Sequence, residues 1–490
     1  MSSNNIINIL LNPKSVAVIG ASKNQMKGGK RIIDNLTLNN FKGKIYPINP
    51  NAKGEVNGLE FKKSVLEIDD EEVDIAIFYV PNKVIPDILK DCIKKGIKGA
   101  IIEASGFEEV GAKGLELRDQ ILKITENFSK IRIVGPNCMG LTRIDGNSDS
   151  EADQRGGFFS SFGVFTKYKR GNVAIISQSG MLNGGYLMHV MQQYPDLGFR
   201  YSCSVGNKMD LSEIEFLEYM IEDDSVNVIT VYLESFKNPR KFIELCRKAK
   251  NLSNKTIILV KGGVTSQGQK ASLSHTAALS EDSKLINAII KQSGVIQAHS
   301  FYEMFQFART LSMMYNAGNK FPNKGNVSMI AGSGGAGTIS ADLTIKYGLK
   351  FPNLKDEIYK KLVDVFPDWM FPNRFALVDI WPAMEKAMMN GNNPADMMKS
   401  VYEAILGDPD IEGLFNMMFC SKQFRVFSSV DPIVEVAQKF LKPIFFWLIG
   451  EKNEVERVSK LLAKNNIPNF ISLEDMAKNF RILLKNYNKY

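Results

Sequence analysis

The chain has 490 residues, of which 44% are hydrophobic and 23% charged, and its formal net charge is +8 at pH 7. This composition excludes a wholly disordered, collagenous or fibrous protein, and the length predicts about three domains because a single core stops growing near ~250–300 residues. The five cysteines include no C-x-x-C pair, which argues against a disulfide scaffold and a structural zinc site. The basic excess suits nucleic acid, a membrane surface or an anionic small molecule, and composition does not choose among them.

The N-terminus and the hydropathy pattern bear on location. No apolar run approaches the ~18 residues that span a bilayer. The first residues, MSSNNIINILLNPKS, lack the basic segment and the cleavage site of a secretory signal. We therefore expect a cytoplasmic protein.

Short runs rich in Val and Ile alternate with helix-length amphipathic segments, which predicts βαβ crossovers and parallel sheets. A first block covers residues 1–144, with strands predicted at 15–20, 43–47, 73–80, 99–103 and 131–135. A polar, acidic, Gly- and Phe-rich stretch, 145–170, is predicted to be an exposed connector. The second block covers 171–318, with strands at 172–177, 227–234 and 256–261. The third covers 325–490, with strands at 326–331, 413–420 and 443–449.

The first strand ends in a glycine-rich turn, Gly20-Ala21-Ser22, followed by a predicted helix. Backbone N–H groups at such a turn, together with the helix dipole, favour a pyrophosphate. The turn is not G-x-G-x-x-G, and Asn49 rather than an acidic residue follows the second strand. Both departures disfavour a nicotinamide-dependent oxidoreductase. Lys44 is a candidate source of positive charge for further phosphates.

Among the three histidines, His275 has the most unusual setting. His189 lies in a helical run and His299 precedes a capping-box pattern, so we expect structural positions for both. His275 lies in a stretch rich in Gly, Ser, Thr and Lys, residues 261–279 (KGGVTSQGQKASLSHTAAL). This stretch is predicted to be a loop, too polar for a core and well suited to phosphate.

Several motifs occur together in one order: GASKNQMKGG, IYPINP, ASGFEEVG, GPNCMGL, IISQSG, SVGNKMD, VYLES and SHTAAL. In this order and spacing, the chain resembles the ADP-forming acyl-CoA synthetases, the superfamily of the succinyl-CoA ligase α subunit. The resemblance implies an α/β fold, in which a Rossmann-like CoA-binding domain precedes two flavodoxin-like parallel-sheet domains. It also implies the reaction acid + CoA + ATP ⇌ acyl-CoA + ADP + phosphate, through an acyl phosphate and a phosphohistidine.

The resemblance assigns roles to particular residues. His275 matches the phosphorylated histidine, Glu234 a carboxylate that holds its imidazole, and Glu109 an acid near the thioester. Ser179 and Gly180 match the positions whose N–H groups hold the transferred phosphate. The CoA-binding positions of the family are matched by Gly20, Ala21, Ser22, Lys44, Asn49, Val80, Pro81 and Asn137. No metal ligand is assigned.

The family also needs an ATP-grasp module that binds ATP or ADP with Mg²⁺, and no Walker A motif is found in this chain. The resemblance therefore implies a separate ATP-grasp β chain in a hetero-oligomer, with CoA and a small carboxylic acid as ligands and no nucleic acid or membrane. Two departures stand in the phospho-loop: Ala277 where glycine is usual, and Val264 where arginine is common. They keep open the alternative of a non-catalytic CoA- or acyl-CoA-binding protein with a regulatory or scaffold role.

Overall fold

The computed structural model describes residues 3–69, 71–148, 155–276 and 283–484. By its internal contacts the chain divides into two compact units, residues 1–308 and 309–490. Within the described ranges, none of the helices has the length and apolar character needed to cross a membrane.

The first unit contains one parallel sheet, one mainly parallel sheet and a small hairpin. Its strands are β1 (Ser15–Ile19), β2 (Lys44–Ile48), β3 (Glu55–Val56), β4 (Leu59–Glu60), β5 (Ile75–Phe78), β6 (Gly99–Ile102), β7 (Arg132–Val134), β8 (Leu141–Ile144), β9 (Gly157–Phe159), β10 (Arg170–Ser177), β11 (Phe199–Ser204), β12 (Val228–Leu233), β13 (Thr256–Lys261) and β14 (Ile296–Gln297). Its helices are α1 (Ser3–Leu11), α2 (Gly28–Leu38), α3 (Ile85–Lys95), α4 (Ala112–Ile124), α5 (Leu187–Gln193), α6 (Glu213–Glu222), α7 (Pro239–Asn251), α8 (Ser266–Thr276) and α9 (Ser283–Ser293). The helix α10 (Phe301–Asn316) runs across the division between the units.

The first sheet has the order β2-β1-β5-β6-β7, and all its pairs are parallel. Strands β1, β5 and β6 are buried at every position, as expected for central strands covered by helices on both faces. Helix α3 ends at Gly96, whose φ of +84° is the left-handed conformation that favours glycine. Because all five strands are parallel, their carboxyl ends meet at one edge of this sheet.

The second sheet has the order β14-β13-β12-β10-β11-β8-β9. Its core is parallel, whereas β8 and β9 add an antiparallel edge. Strand β9 lies within residues 145–170, for which the sequence predicts an exposed connector. That expectation is wrong for the described part of the stretch, because Phe158, Phe159 and Phe165 are each at most 1% exposed. Burial of these three aromatic rings joins the stretch to the sheet.

The second unit holds one five-stranded parallel sheet of order β16-β15-β17-β18-β19. Its strands are β15 (Val327–Ala331), β16 (Leu377–Asp379), β17 (Gly413–Cys420), β18 (Ile444–Gly450) and β19 (Asn469–Phe470). Its helices are α11 (Gly334–Lys346), α12 (Asp356–Val365), α13 (Trp381–Met389), α14 (Pro394–Gly407), α15 (Asp431–Phe440), α16 (Lys452–Lys464) and α17 (Leu473–Arg481). The predicted succession of parallel βαβ blocks is thus present in both units.

Candidate active site

The glycine-rich turn lies at the carboxyl edge of the first sheet. Gly20 has a φ of +87°, and a Cβ atom placed on it would lie 2.2 Å from the Tyr79 carbonyl oxygen. A Cβ atom on Gly29 would lie 2.1 Å from the Gly20 carbonyl oxygen, so α2 approaches the turn closely. The Asn49 side chain donates to the Ala21 carbonyl oxygen at 2.7 Å. The structure therefore brings Asn49 to this turn.

The neighbouring strand ends supply the next residues. Tyr79 follows β5 and donates its N–H to the Ile19 carbonyl oxygen at 3.0 Å. This pairing places Val80 and Pro81 beside Gly20, since a Cβ atom on Gly20 would lie 2.8 Å from Val80 Cγ1. Asn137 follows β7 and donates its N–H to the Ala104 carbonyl oxygen at 2.9 Å. These positions share the edge where parallel sheets bind their ligands.

Lys44 does not join this group. It pairs with Ser15 at the amino ends of β1 and β2, whereas Gly20 follows the carboxyl end of β1. Five residues of strand separate the two ends by about 16 Å at ~3.3 Å per residue. The Lys44 ammonium instead pairs with the Glu71 carboxylate, and both side chains are largely exposed.

A cavity of about 620 Å³ lies between the two sheets of the first unit. Residues from both sheets line it: Tyr79, Val80, Pro81, Glu103, Ala104, Ser105, Asn137, Cys138, Met139, Phe162, Gln178, Ser179, Gly180, Met181 and Asn207. The cavity thus joins three predicted CoA-site residues with the two residues predicted to bind phosphate.

The phosphate turn follows β10. A helical segment begins at Gly180 and continues through a π-helical turn, Leu182–Tyr186, into α5. The N–H groups of a first helical turn have no partner within the helix, so Ser179 and Gly180 present donors to an anion. A Cβ atom on Gly180 would lie 2.9 Å from Met139 Cγ, so a larger residue there would collide with the cavity wall.

Glu103 is a cavity-lining residue that the sequence analysis does not identify. It is 7% exposed, and among the described residues neither carboxyl oxygen has a hydrogen-bond partner of normal geometry. Burial raises the pKa of the Glu103 carboxyl well above its usual range, and the Phe162 backbone N–H offsets only part of this shift. The pKa of the Cys138 thiol is also raised, first by burial and then by the Glu103 charge. Both shifts favour the protonated forms of these groups.

Glu234 follows β12 at the carboxyl end of the second sheet. Its carboxylate accepts from the Tyr232 hydroxyl at 3.2 Å and from the Ser272 hydroxyl at 3.3 Å. Burial raises the pKa of the Tyr232 hydroxyl, and the Glu234 charge adds to the shift, so this hydroxyl remains a donor.

The backbone of Glu234 is held as well. Gln178 Oε1 accepts from the Glu234 N–H at 2.9 Å, and Lys261 Nζ donates to the Glu234 carbonyl oxygen at 2.7 Å. Gln178 follows β10 and Lys261 ends β13, the two strands on either side of β12. Glu234 is therefore fixed from both neighbouring strands.

His275 lies in helix α8, and its side chain is outside the described residues. The sequence predicts a loop here, and this is wrong for residues 266–276. The Thr265 hydroxyl accepts from the Gly268 N–H at 3.1 Å, which caps the start of the helix. Ser272, one helical turn before His275, is the residue that bonds Glu234, and α8 also contacts the short turn Glu108–Val110. The helix that carries His275 is thus placed against both Glu234 and the turn of Glu109.

Glu109 does not line the cavity but bonds a residue that does. Its Oε1 accepts from the Gly106 N–H at 2.6 Å, and its Oε2 accepts from Asn207 Nδ2 at 2.6 Å. Asn207 follows β11 in the second sheet, so this contact joins the two sheets at the cavity.

Comparison with known proteins agrees with this arrangement. The model of a CoA binding domain matches residues 14–143, and that of a succinyl-CoA ligase like flavodoxin domain matches residues 170–311. The chain is 31% identical over 490 residues to the α subunit of acetate–CoA ligase [ADP-forming] II from Pyrococcus furiosus, with 96% of each chain covered. The chain belongs to the family of ADP-forming acetate–CoA ligases.

Two further relatives support membership of this family. Acetate–CoA ligase [ADP-forming] II of Archaeoglobus fulgidus is 34% identical over 94% of this chain, and the chain spans 64% of that relative's length. A solved structure, the dinucleotide forming acetyl-coenzyme A synthetase 1 of Ca. Korarchaeum cryptofilum in complex with phosphate and ADP, superposes with a TM-score of 0.82 at 28% identity. The superposition covers 97% of this chain and 96% of the chain in that structure. The resemblance and the fold class predicted from the sequence are thereby confirmed.

In this member of the ligase family, the sequence motifs locate the strand ends that form the site. They do not identify the side chains that hold the site residues in place. Sequence reasoning missed Glu103, Gln178, Tyr232, Asn207 and Ser272. Gln178 and Tyr232 lie inside the quoted IISQSG and VYLES motifs, and Asn207 inside SVGNKMD. In the sequence, these residues could be noticed only as polar or phenolic side chains close to an assigned residue. Their hydrogen bonds in the structure show which site residue each one holds.

Proposed function

We propose that this chain is the α-type subunit of an ADP-forming acyl-CoA synthetase, acting through an acyl phosphate and phospho-His275. The observation that carries the proposal is the hydrogen bond from Ser272, in the helix of His275, to Glu234. It places that helix at the end of the sheet that also supplies the phosphate turn. The names of the relatives favour this ligase over the non-catalytic alternative.

The proposed reaction has two steps on this chain. A phosphate oxygen attacks the thioester carbonyl carbon, the carbon–sulfur bond breaks, and CoA leaves as a thiolate that takes up a proton. The acyl phosphate then gives its phosphoryl group to an imidazole nitrogen of His275, and the carboxylate leaves. The N–H groups of Ser179 and Gly180 are suited to hold the phosphoryl oxygens in both steps.

Glu234 is suited to orient the imidazole and to stabilise its developing positive charge. Its fixed backbone and the two hydroxyl donors on its carboxylate keep it in place for this role. CoA would lie along the carboxyl edge of the first sheet, at Gly20, Ala21, Ser22, Asn49, Val80, Pro81 and Asn137. The acyl group would then enter the cavity between the sheets.

The proposal extends to a partner and a location. Relatives named as subunit alpha support a partner subunit. We assign ATP and ADP, with Mg²⁺, to an ATP-grasp β chain, and we place the complex in the cytoplasm.

The test is transfer of labelled phosphate to the chain. Incubation with acetyl-CoA and ³²P-phosphate is expected to give an acid-labile, base-stable label that is absent from His275→Ala. Glu234→Gln should slow labelling by at least about tenfold, because the imidazole loses its anionic partner. His189→Ala, a change at an exposed position of α5, is the matched control and should label normally. A label that persists in His275→Ala would overturn the assignment.

A further inference from the structure

Asn207 occupies a fixed position at the cavity between the two sheets. It lies in the turn after β11, and its N–H donates to the Pro136 carbonyl oxygen at 2.9 Å. The preceding Gly206 has a φ of +54°, and a Cβ atom on it would lie 2.2 Å from that same oxygen. The turn therefore packs directly on the backbone that precedes Asn137.

The orientation of the Asn207 amide is also fixed. Nδ2 donates to Glu109 Oε2 at 2.6 Å, and Oδ1 accepts from Asn137 Nδ2 at 3.3 Å. An ionised carboxylate only accepts hydrogen bonds, so the amide nitrogen must face Glu109. Glu109 is itself held by the Gly106 N–H.

One N–H of the Asn207 amide is left over by this arrangement. An asparagine amide has two N–H donors, and within the described part of the chain only one has an acceptor. The side chain is part exposed and lines the cavity. The bond that Asn207 Oδ1 accepts from Asn137 Nδ2 polarises the amide, which strengthens the remaining donor.

The cavity needs such a donor for the proposed reaction. When phosphate attacks a thioester, negative charge develops on the carbonyl oxygen, and fixed donors aimed at it lower the barrier. Among the residues that the structure describes, those that line the cavity include no Lys, Arg or His. Among the described lining residues, neutral donors therefore face this charge. Asn207 is a lining amide held by residues of the first sheet, whereas the Gln178 oxygen accepts from the Glu234 and Ser235 N–H groups of the second sheet.

We infer that the Asn207 amide donates a hydrogen bond to the acyl carbonyl oxygen during attack on the thioester, and that Glu109 positions it. The inference rests on the proposed function. It changes the role expected for Glu109, which acts on the acyl group through Asn207. No covalent bond to either residue is formed.

The experiment measures single-turnover release of CoA thiol from acetyl-CoA with phosphate, together with binding of S-ethyl-CoA, a thioether without the carbonyl. In Asn207→Ala and Asn207→Asp the rate at saturating acetyl-CoA should fall by about 100-fold or more. S-ethyl-CoA affinity should change by less than about threefold, because that ligand offers no oxygen to the lost donor. Glu109→Gln should lose less, about tenfold, because the glutamine oxygen can still accept from Asn207.

The controls separate the inference from the proposed function. Gln120→Ala removes an exposed amide of α4 and should keep the wild-type rate and affinity. If the wild-type chain releases no thiol and acquires no label, the proposed function fails and the inference falls with it. If the wild-type chain reacts but Asn207→Ala stays within about threefold of its rate, the inference alone is overturned. If Asn207→Ala lowers the S-ethyl-CoA affinity by the same factor as the rate, Asn207 has a structural role, and the inference is overturned too.

Discussion

Glu103 carries a carboxyl group in a place where an ionised carboxylate is unfavourable. Burial raises its pKa, so the folded chain keeps a proton that the unfolded chain loses above about pH 4.3. Stability therefore falls as the pH rises from about 4.3 towards the folded-state pKa. Glu103→Gln removes this cost, and we expect it to raise the free energy of unfolding by more at pH 8 than at pH 4.5.

The measurement is urea unfolding of both chains at pH 4.5 and pH 8. The gain from Glu103→Gln should be small at pH 4.5, close to the pKa of a glutamate in the unfolded chain, and larger at pH 8. Glu116→Gln, at an exposed position of α4, should show no such difference. An equal effect of Glu103→Gln at the two pH values would mean that the folded chain holds Glu103 ionised.

Helix α8 is the element on which the phosphohistidine proposal depends. Its first turn is capped by the Thr265 hydroxyl, and the helix contains Ser, Gly and Thr, which are weak helix formers. Thr265→Ala should therefore cost about 1 kcal/mol of local stability and speed amide exchange in residues 268–276 by about fivefold. Thr265→Ser keeps the hydroxyl and should exchange as the wild type does. Unchanged exchange in Thr265→Ala would show that the cap does not stabilise the helix.

Some elements of the fold can be predicted from the sequence, and others, helix α8 among them, cannot. Strands β13 and β17 have the predicted bounds, because long apolar runs bounded by turns are typical of strands buried on both faces. Strand β11 is not predicted, because its sequence, FRYSCS, contains buried serines that no hydropathy pattern reveals. The sequence predicts a loop for helix α8 because its helix signal is a single cap, and a cap is recognised only when its N–H partner is known.

Part of the candidate site can likewise be predicted from the sequence, and part cannot. Its strand-end turns could be located from motifs, because glycine is required where Gly20 meets Tyr79 and where Gly180 meets Met139. The contact between Glu109 and Asn207 could not, since 98 residues separate them and the pairing depends on how two sheets pack. The burial of Glu103 depends on the same packing.

At the scale of the first unit, the two sheets are joined by an ion pair and by backbone bonds. Arg132 in β7 forms a bidentate pair with Asp210, after β11, at 2.8 to 3.1 Å. Asp210 also accepts from the Ile133 N–H at 2.8 Å. The Leu211 N–H donates to the Ile133 carbonyl oxygen at 3.1 Å, and the Met209 N–H donates to the Gly135 carbonyl oxygen at 3.0 Å. The cavity lies between these sheets, so its shape depends on this junction.

The junction gives the last prediction. The Asp210 side chain is 7% exposed, and burial raises its pKa, although Arg132 offsets part of the shift. Removing this carboxylate leaves the half-buried guanidinium of Arg132 without its partner. We expect Asp210→Ala to lower the free energy of unfolding by about 2 kcal/mol, measured by urea unfolding, and Asp210→Asn to lower it less, because the amide oxygen still accepts from Arg132. Glu244→Ala, which removes an exposed i,i+3 pair with Lys241 in α7, should cause no measurable change. Because Asp210 lies three residues after the cavity-lining Asn207, acetyl-CoA affinity should fall with stability in Asp210→Ala and stay at the wild-type value in Glu244→Ala. Equal stability of the two alanine variants would show that the backbone bonds alone hold the sheets together.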